Sequence, residues 1–327
     1  VRSQEENHME LQDLKVSLDG LKLEMQSLTV SNLTHELNDL VLAGGKKFRP
    51  GLLFLVGHLF NLKPSDLTTY ARSVELTHLA SLVHDDVIDE SDKRRNHPTI
   101  NSMRDNTTAI LAGDYLLASV MGELALKNNN EILIDLTKSI QDLADGEWLQ
   151  YDLKKKERVE LQDLELIAIK KTGSLIRWCC TTPAKLSGMA DVSALGIVGE
   201  KVGLIFQMAD DIVDGFTVSG RPAFQDIING QMNYVTVKLI ELFPELTQAV
   251  YALKGNPRMT IPWTEAQYEK AIMAVDQLIK IEKEKVLNTF SILCKANDKE
   301  DLMPFFELMI TKIQSNYLSH FENLANR

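Results

Sequence analysis

Aliphatic residues recur at i, i+3 and i+4 along nearly the whole chain, and no stretch reads as a run of strands. That period restricts the chain to packed helices. Leu14, Leu18, Leu21, Met25 and Leu28 mark a first amphipathic helix; Gly20 and its short length favour core packing over a coiled coil. Further helices are expected at about Asn32–Ala43, Pro50–Leu62, Thr68–Asp89, Thr107–Lys127 and Glu131–Lys154, separated by polar joints such as Asn128-Asn129-Asn130. The expected fold class is all-α, one large helical bundle. With no repeat period and no linker in view, residues 11–327 read as one domain behind a polar N-terminal extension, residues 1–10.

The stretch Leu76 to Asn96, LTHLASLVHDDVIDESDKRRN, sets a D-D-x-x-D cluster at the end of an apolar helical run. On a helix Asp85 and Asp89 share a face, with Asp86 beside them. Like charges at that spacing repel by a few tenths of a kcal/mol, which points to a compensating cation. Carboxylate oxygens suit a hard ion such as Mg²⁺, and Arg94 and Arg95 add fork-shaped donors for a phosphate-like ligand. A solvated acidic helix end followed by a basic loop would look similar. The spacing returns, however, at Asp210, Asp211 and Asp214, again behind an apolar helical run, and two such faces could enclose one anion.

Composition narrows the partners. The 327 residues are 44% hydrophobic and 25% charged, and the net charge of −11 argues against nucleic acid or an anionic membrane as the main partner. Three cysteines, two of them adjacent, form neither a disulfide framework nor a C-x-x-C metal site, so a reducing cytoplasm is expected. No uninterrupted apolar run approaches the roughly 20 residues that span a bilayer, so no transmembrane segment is expected.

The paired clusters resemble the two aspartate-rich motifs of the trans-isoprenyl diphosphate synthases, and the resemblance runs from about Gly44 to Asn233. The sequence around Asp85 to Leu117 looks most like the medium- and long-chain polyprenyl diphosphate synthases. The resemblance implies a bundle of the isoprenoid synthase type, a homodimer, and head-to-tail condensation of isopentenyl diphosphate with an allylic diphosphate. It implies Mg²⁺ held by Asp85, Asp89, Asp210 and Asp214, with Asp85, Asp89, Asp210 and Lys171 carrying the catalysis.

The same resemblance assigns Lys46, Arg49, His78 and Arg95 to isopentenyl diphosphate, and Arg94, Lys171, Thr172 and Gln207 to the allylic diphosphate. By residue type alone, Lys46 and Arg49 could equally cap a helix C-terminus, His78 could be a satisfied core histidine, and Lys171 a solvated helix end. His84 and His97 read as structural, and Gly146, Glu147 and Gln150 as packing and supporting residues. Ala80 and Ser81, the small residues ahead of Asp85, imply an open channel and a product longer than geranylgeranyl, each open turn adding about 5.4 Å. Tyr115, Met121 and Leu124 are candidates to close it from a facing helix.

The chain departs from the family at Gln231, where a diphosphate-binding lysine is expected. That substitution keeps a second reading alive, a catalytically weak or regulatory partner subunit of a heteromeric synthase. A class I terpene cyclase would not need the Gly44 to Pro50 turn. A helical interaction protein would not need either aspartate cluster.

Overall fold

A computed structural model of the chain describes residues 47–94, 97–217, 223–256, 258 and 260–325. The two helices expected before Gly44, and the candidate residues Lys46 and Arg95, lie outside the described residues. Within them the chain is helical almost throughout, as the aliphatic period requires.

Residues fall into two compact units of interleaved sequence. One draws on the stretches up to Lys138, Arg177–Gly196 and Thr289–Met309; the other on Ser139–Ile176, Ile197–Asn288 and the stretch from Ile310 onward. Helices α5 (Asn130–Leu153), α7 (Ser174–Leu186), α8 (Ser193–Asp214), α12 (Glu265–Ala296) and α13 (Met303–Ala325) contribute residues to both. No linker is visible in the sequence because neither unit is a continuous stretch.

The first unit is built on α1 (Phe48–Leu59), α2 (Pro64–Ile88) and α4 (Asn106–Ala125), with α2 packed against both of the others. Helix α2 starts earlier than the expected Thr68 because Pro64 occupies its first turn, where a missing N–H is harmless. Asp105 caps α4 by accepting the Thr108 N–H at 2.6 Å. Leu52, Leu53, Leu55, Val74, Ala80, Ala109, Ala112 and Val120 are all fully buried between these helices. Elsewhere in the unit, Trp178 donates its indole N–H to the Ile132 carbonyl, and Phe290 stacks on Phe306.

Between α2 and α4 the chain makes the one departure from an all-helical reading among the described residues. β1 (Lys93–Arg94) pairs antiparallel with β2 (His97–Pro98), and α3 (Ile100–Met103) follows with Thr99 as its cap. Two-residue strands carry no periodic signal, so the aliphatic pattern could not reveal them.

The second unit contains α6 (Leu161–Ala168), a π-helical turn at Ile169–Gly173, α9 (Gln225–Ile228), α10 (Tyr234–Leu242) and α11 (Thr247–Leu253), with α10 packed on α6. Reciprocal capping boxes start α6 at Glu160 and Asp163, and α10 at Asn233 and Thr236. Phe224 sits at φ 64° inside an aromatic cluster with Trp263 and Tyr268.

One described helix, α4, is long and apolar enough to cross a membrane by length and composition, although Asp114 and Glu123 interrupt it. Only 33% of its most apolar window is buried.

Candidate active site

In the first unit α2 ends at the aspartate cluster. Asp89 closes the helix, its N–H on the Asp85 carbonyl at 2.8 Å, so the helical turn sets these two residues on one face as the spacing predicts. Asp85 is half-buried and Asp89 exposed, whereas Asp86 points inward and is only 3% exposed. Arg94 reaches back to Asp86 with Nε at 3.0 Å and Nη2 at 2.8 Å from Oδ1. Burial pushes the Asp86 carboxyl above the usual carboxylate range; the Arg94 hydrogen bond and charge pull it down, and the Asp89 charge raises it again.

The hairpin carrying Arg94 is tied to the same helix end. Ser91 N–H donates to the Asp86 carbonyl at 2.9 Å, Thr99 Oγ1 and Asn101 Nδ2 both donate to the Ser91 carbonyl, and Ser102 Oγ donates to Asp92.

His84 lies with Nε2 3.2 Å from the Ile110 carbonyl and 3.5 Å from Asp114 Oδ1. Its ring fills the space over Gly113, where a Cβ would sit 2.2 Å from Nε2. It fastens α2 to α4, the structural role expected of it. His97 is exposed on β2 opposite Arg94. At the other end of the unit Lys47 adopts a left-handed conformation (φ 48°) ahead of α1 and pairs with Glu75 at 2.9 Å. Arg49 occupies the first turn of α1 and is half-buried, as is His78 on α2.

Of the chain-length candidates, Ala80 is fully buried, and Ser81 is half-buried with its hydroxyl on the His78 carbonyl at 2.8 Å. Tyr115 is 47% exposed, while Leu124 is buried on α4.

In the second unit the π turn carries Lys170, Lys171 and Thr172. Its wider loop is held by α5 through two adjacent lysines: Lys170 pairs with Asp142 and Asp145, and Lys171 with Glu147 and Gln150. Gly146 lets the strands of backbone meet, since a Cβ there would lie 2.8 Å from the Lys171 nitrogen; Gly203 on α8 does the same against Gly173. Gly146, Glu147 and Gln150 therefore support the turn, as their sequence pattern suggested.

From the turn a chain of hydrogen bonds runs into the second cluster. Thr172 donates to Gln207 Oε1 at 3.2 Å, Gln207 Nε2 donates to Asp211 Oδ1 at 2.9 Å, and the Tyr234 N–H donates to Asp211 Oδ2 at 2.8 Å. Burial, then the neighbouring Asp226 charge, drives the Asp211 carboxyl well above its ordinary range. Asp210 is exposed. Asp214 is buried, and its two oxygens accept the N–H groups of Gln225 and Asp226 at 3.1 and 3.2 Å, anchoring the start of α9.

A cavity of about 90 Å³ opens beside Asp211, lined among others by Gln207, Asp226, Gln231, Asn233 and Lys154. Gln231 thus stands at the second cluster, where the sequence placed it. What sequence reasoning missed is the burial of the middle aspartates. Their downstream partners, Arg94 on β1 and the Tyr234 N–H at the start of α10, belong to other segments, on which the period of the aspartates' own helices does not report.

Each cluster offers carboxylate oxygens with access to solvent, Asp85 and Asp89 in the first and Asp210 in the second, donors that suit a hard divalent cation. Among the described residues no three His, Cys, Asp or Glu side chains converge on one ion, so water and phosphate oxygens would complete its shell.

An all-α chain with an aspartate-rich cluster at the end of two separate helices has the architecture of the isoprenoid synthases. The chain belongs to the polyprenyl synthetase family, which residues 30–261 match. It is 36% identical to a prenyl transferase of Synechocystis sp. over 78% of this chain and 82% of that one. It is 29% identical to the mitochondrial solanesyl-diphosphate synthase 1 of Oryza sativa subsp. japonica over 80% of this chain, and spans just under two thirds (66%) of that protein. A polyprenyl synthase from Caulobacter crescentus, complexed with calcium and isoprenyl diphosphate, shares the fold with a TM-score of 0.79 at 23% identity, over 94% of this chain and 98% of that one.

Proposed function

We propose that the chain is a Mg²⁺-dependent trans-prenyltransferase that condenses isopentenyl diphosphate with an allylic diphosphate and makes a polyprenyl diphosphate longer than geranylgeranyl. The observation that carries this reading is the repeated cluster: in each, the first aspartate keeps solvent access and basic side chains sit on the neighbouring segment.

In this reading Asp85, Asp89 and Asp210 hold the cation, and Asp214, buried with its oxygens on the Gln225 and Asp226 N–H groups, braces the segment after the second cluster. Bound there, Mg²⁺ would neutralise charge on the departing diphosphate. Lys171, fixed by Glu147 and Gln150, and Arg94, fixed by Asp86, add positive charge to the allylic diphosphate, while Thr172 and Gln207 orient it. Arg49 and His78, together with Lys46 and Arg95, receive isopentenyl diphosphate. Small Ser81 leaves room for a growing chain, and the solanesyl name of the rice relative supports a long product.

The exposed face of α4 supports a homodimer: Leu111 is 60% exposed and Ile110 44%, with Ala118 and Gly122 small enough for close approach. Light scattering tests it, and a monomer would count against it. Three buried free cysteines suit the cytoplasmic site proposed for the chain.

Diphosphate release, measured with both substrates and Mg²⁺, tests the synthase reading. Gln231 beside Asp211 favours the alternative of a weak or regulatory partner subunit. Folded protein that releases no diphosphate alone, and releases it once mixed with a second synthase chain, would establish that alternative.

A further inference from the structure

The cavity beside Asp211 has a single basic side chain on its lining, Lys154, which stands just past the end of α5. Its carboxylates are largely engaged: the two oxygens of Asp211 accept the Gln207 amide and the Tyr234 N–H, and Asp226 Oδ2 accepts the Asn233 amide at 3.1 Å. The Lys154 ammonium and the Gln231 side-chain amide are not engaged, since neither has a hydrogen bond or ion pair among the described residues.

The turn that carries Lys154 is fastened on both sides. Lys254 Nζ donates to the Leu153 carbonyl at 3.1 Å and the Lys156 carbonyl at 3.4 Å, and Lys156 Nζ pairs with Asp163 at 2.7 Å. Lys154 is therefore a mobile arm on a fixed base. The cavity it lines also adjoins the π turn, because two of the lining amides, Gln150 and Gln207, bond to Lys171 and Thr172 at 3.1 and 3.2 Å.

We propose that Lys154 is a further binding residue for the allylic diphosphate: its ammonium, with the Gln231 amide on the same cavity, meets phosphate oxygens and brings from the end of α5 the charge that Gln231 lacks. An ammonium facing two carboxylates would ordinarily close onto one of them, but here three of the four oxygens already have donors from their own neighbourhood. A lysine offers three donors around a point charge on a flexible stem, so it can follow phosphate oxygens as the group departs. Naming the anion as the allylic diphosphate rests on the synthase reading; the anion site itself does not.

The test compares wild type with Lys154→Met, Gln231→Lys, the double variant and Lys155→Met, whose ammonium lies instead over the Tyr151 ring at 4.6 Å. Inorganic diphosphate with Mg²⁺, titrated by calorimetry, should bind about tenfold more weakly to Lys154→Met, the loss expected of one charge-assisted hydrogen bond. Lys155→Met, an exposed and screened charge, should change binding less than about twofold. Gln231→Lys should recover most of the loss in the Lys154→Met background and add less than about threefold to wild type, because both positions serve the same oxygens. KM for the allylic diphosphate should follow the same order, with KM for isopentenyl diphosphate within about twofold of wild type throughout.

Unchanged diphosphate binding in Lys154→Met, an equal loss in Lys155→Met, or a gain from Gln231→Lys that is the same in both backgrounds would each overturn the proposal. If Lys154→Met fails to fold, Lys154→Gln takes its place under the same expectations. Wild type that releases no diphosphate from substrates, yet binds inorganic diphosphate in the predicted order, overturns the synthase reading and leaves the anion site in place. Wild type that does neither overturns both.

Discussion

Thr172 and Gln207 share a hydrogen bond of 3.2 Å that joins the π turn to the helix of the second aspartate cluster. Gln207 passes it on to the buried Asp211. Gln207→Leu removes the acceptor for Thr172 and strips the buried Asp211 of its side-chain donor, a loss of about 1–3 kcal/mol for a buried polar group left short of a partner. The variant should melt several degrees lower by calorimetry and need more allylic diphosphate, with its isopentenyl diphosphate requirement unchanged. Equal changes in both requirements would contradict the placement of Gln207.

Gly203→Ala should destabilise the protein by about 1–3 kcal/mol, because the new methyl meets Gly173 backbone atoms, which cannot rotate away. A Cβ there would lie 2.3 Å from the Gly173 Cα. On the same helix Gly196 has only ordinary contacts, at 3.8 Å and beyond, so Gly196→Ala should be neutral or stabilising by up to about 1 kcal/mol. Urea unfolding of the two variants makes the comparison.

Product length should respond to Ser81 more cleanly than to Ala80. Ser81→Phe has partial access to space and should shorten the product seen by chromatography of the dephosphorylated chains. Ala80 is fully buried, so Ala80→Phe adds a large ring to a packed site and should lower stability by about 1–3 kcal/mol or more before it reports on length. An unchanged product in Ser81→Phe would show that α2 is not the ruler.

The hydrogen bonds that Lys170 donates to Asp142 and then to Asp145 raise its pKa, against a smaller opposing effect of burial. A lysine raised in the folded state stabilises it fully below its unfolded value of about 10.4 and loses that contribution as pH climbs through the folded one. The stability gap between wild type and Lys170→Met should therefore stay flat through neutral pH and close in strong alkali. Urea midpoints across that range check it; a gap that closes in acid instead would point to the aspartates.

Chelation should abolish diphosphate release, and added Mg²⁺ should restore it. Asp85→Ala and Asp210→Ala should each lower the rate at least roughly a hundredfold, as removal of other electrostatic transition-state groups does. Full activity in a chelator would sink the metal assignment.

Much of this architecture could be read from the residues. The helices around Asp85, Thr107 and Glu131 fall within a few residues of their expected limits, because aliphatic spacing and polar joints report directly on burial. The shared face of Asp85 and Asp89 is legible in their spacing, because the helix runs on to Asp89. The orientation of Asp86 is not, since helix geometry places three aspartates near one another without saying which one a later arginine will claim. The π turn at Lys171 escaped notice for a related reason: its extra residue is accommodated by Gly146 and Gly203, which lie far from it in sequence.

The interleaving of the two units bears on how the chain is born. The first unit includes Thr289–Met309, where Phe290 and Phe306 stack. That unit cannot be completed on the ribosome until Met309 has emerged: α1, α2 and α4 can pack on one another early, but the face of α1 at Gly51, where a Cβ would lie 3.6 Å from the Met309 side chain, must wait for the late segment. Contacts of such long sequence separation fold slowly and expose aggregation-prone surface meanwhile. Cutting the chain between α5 and α6 should yield two insoluble fragments, each missing parts of both units, and expression should depend on chaperones that hold apolar helices until the last segment arrives.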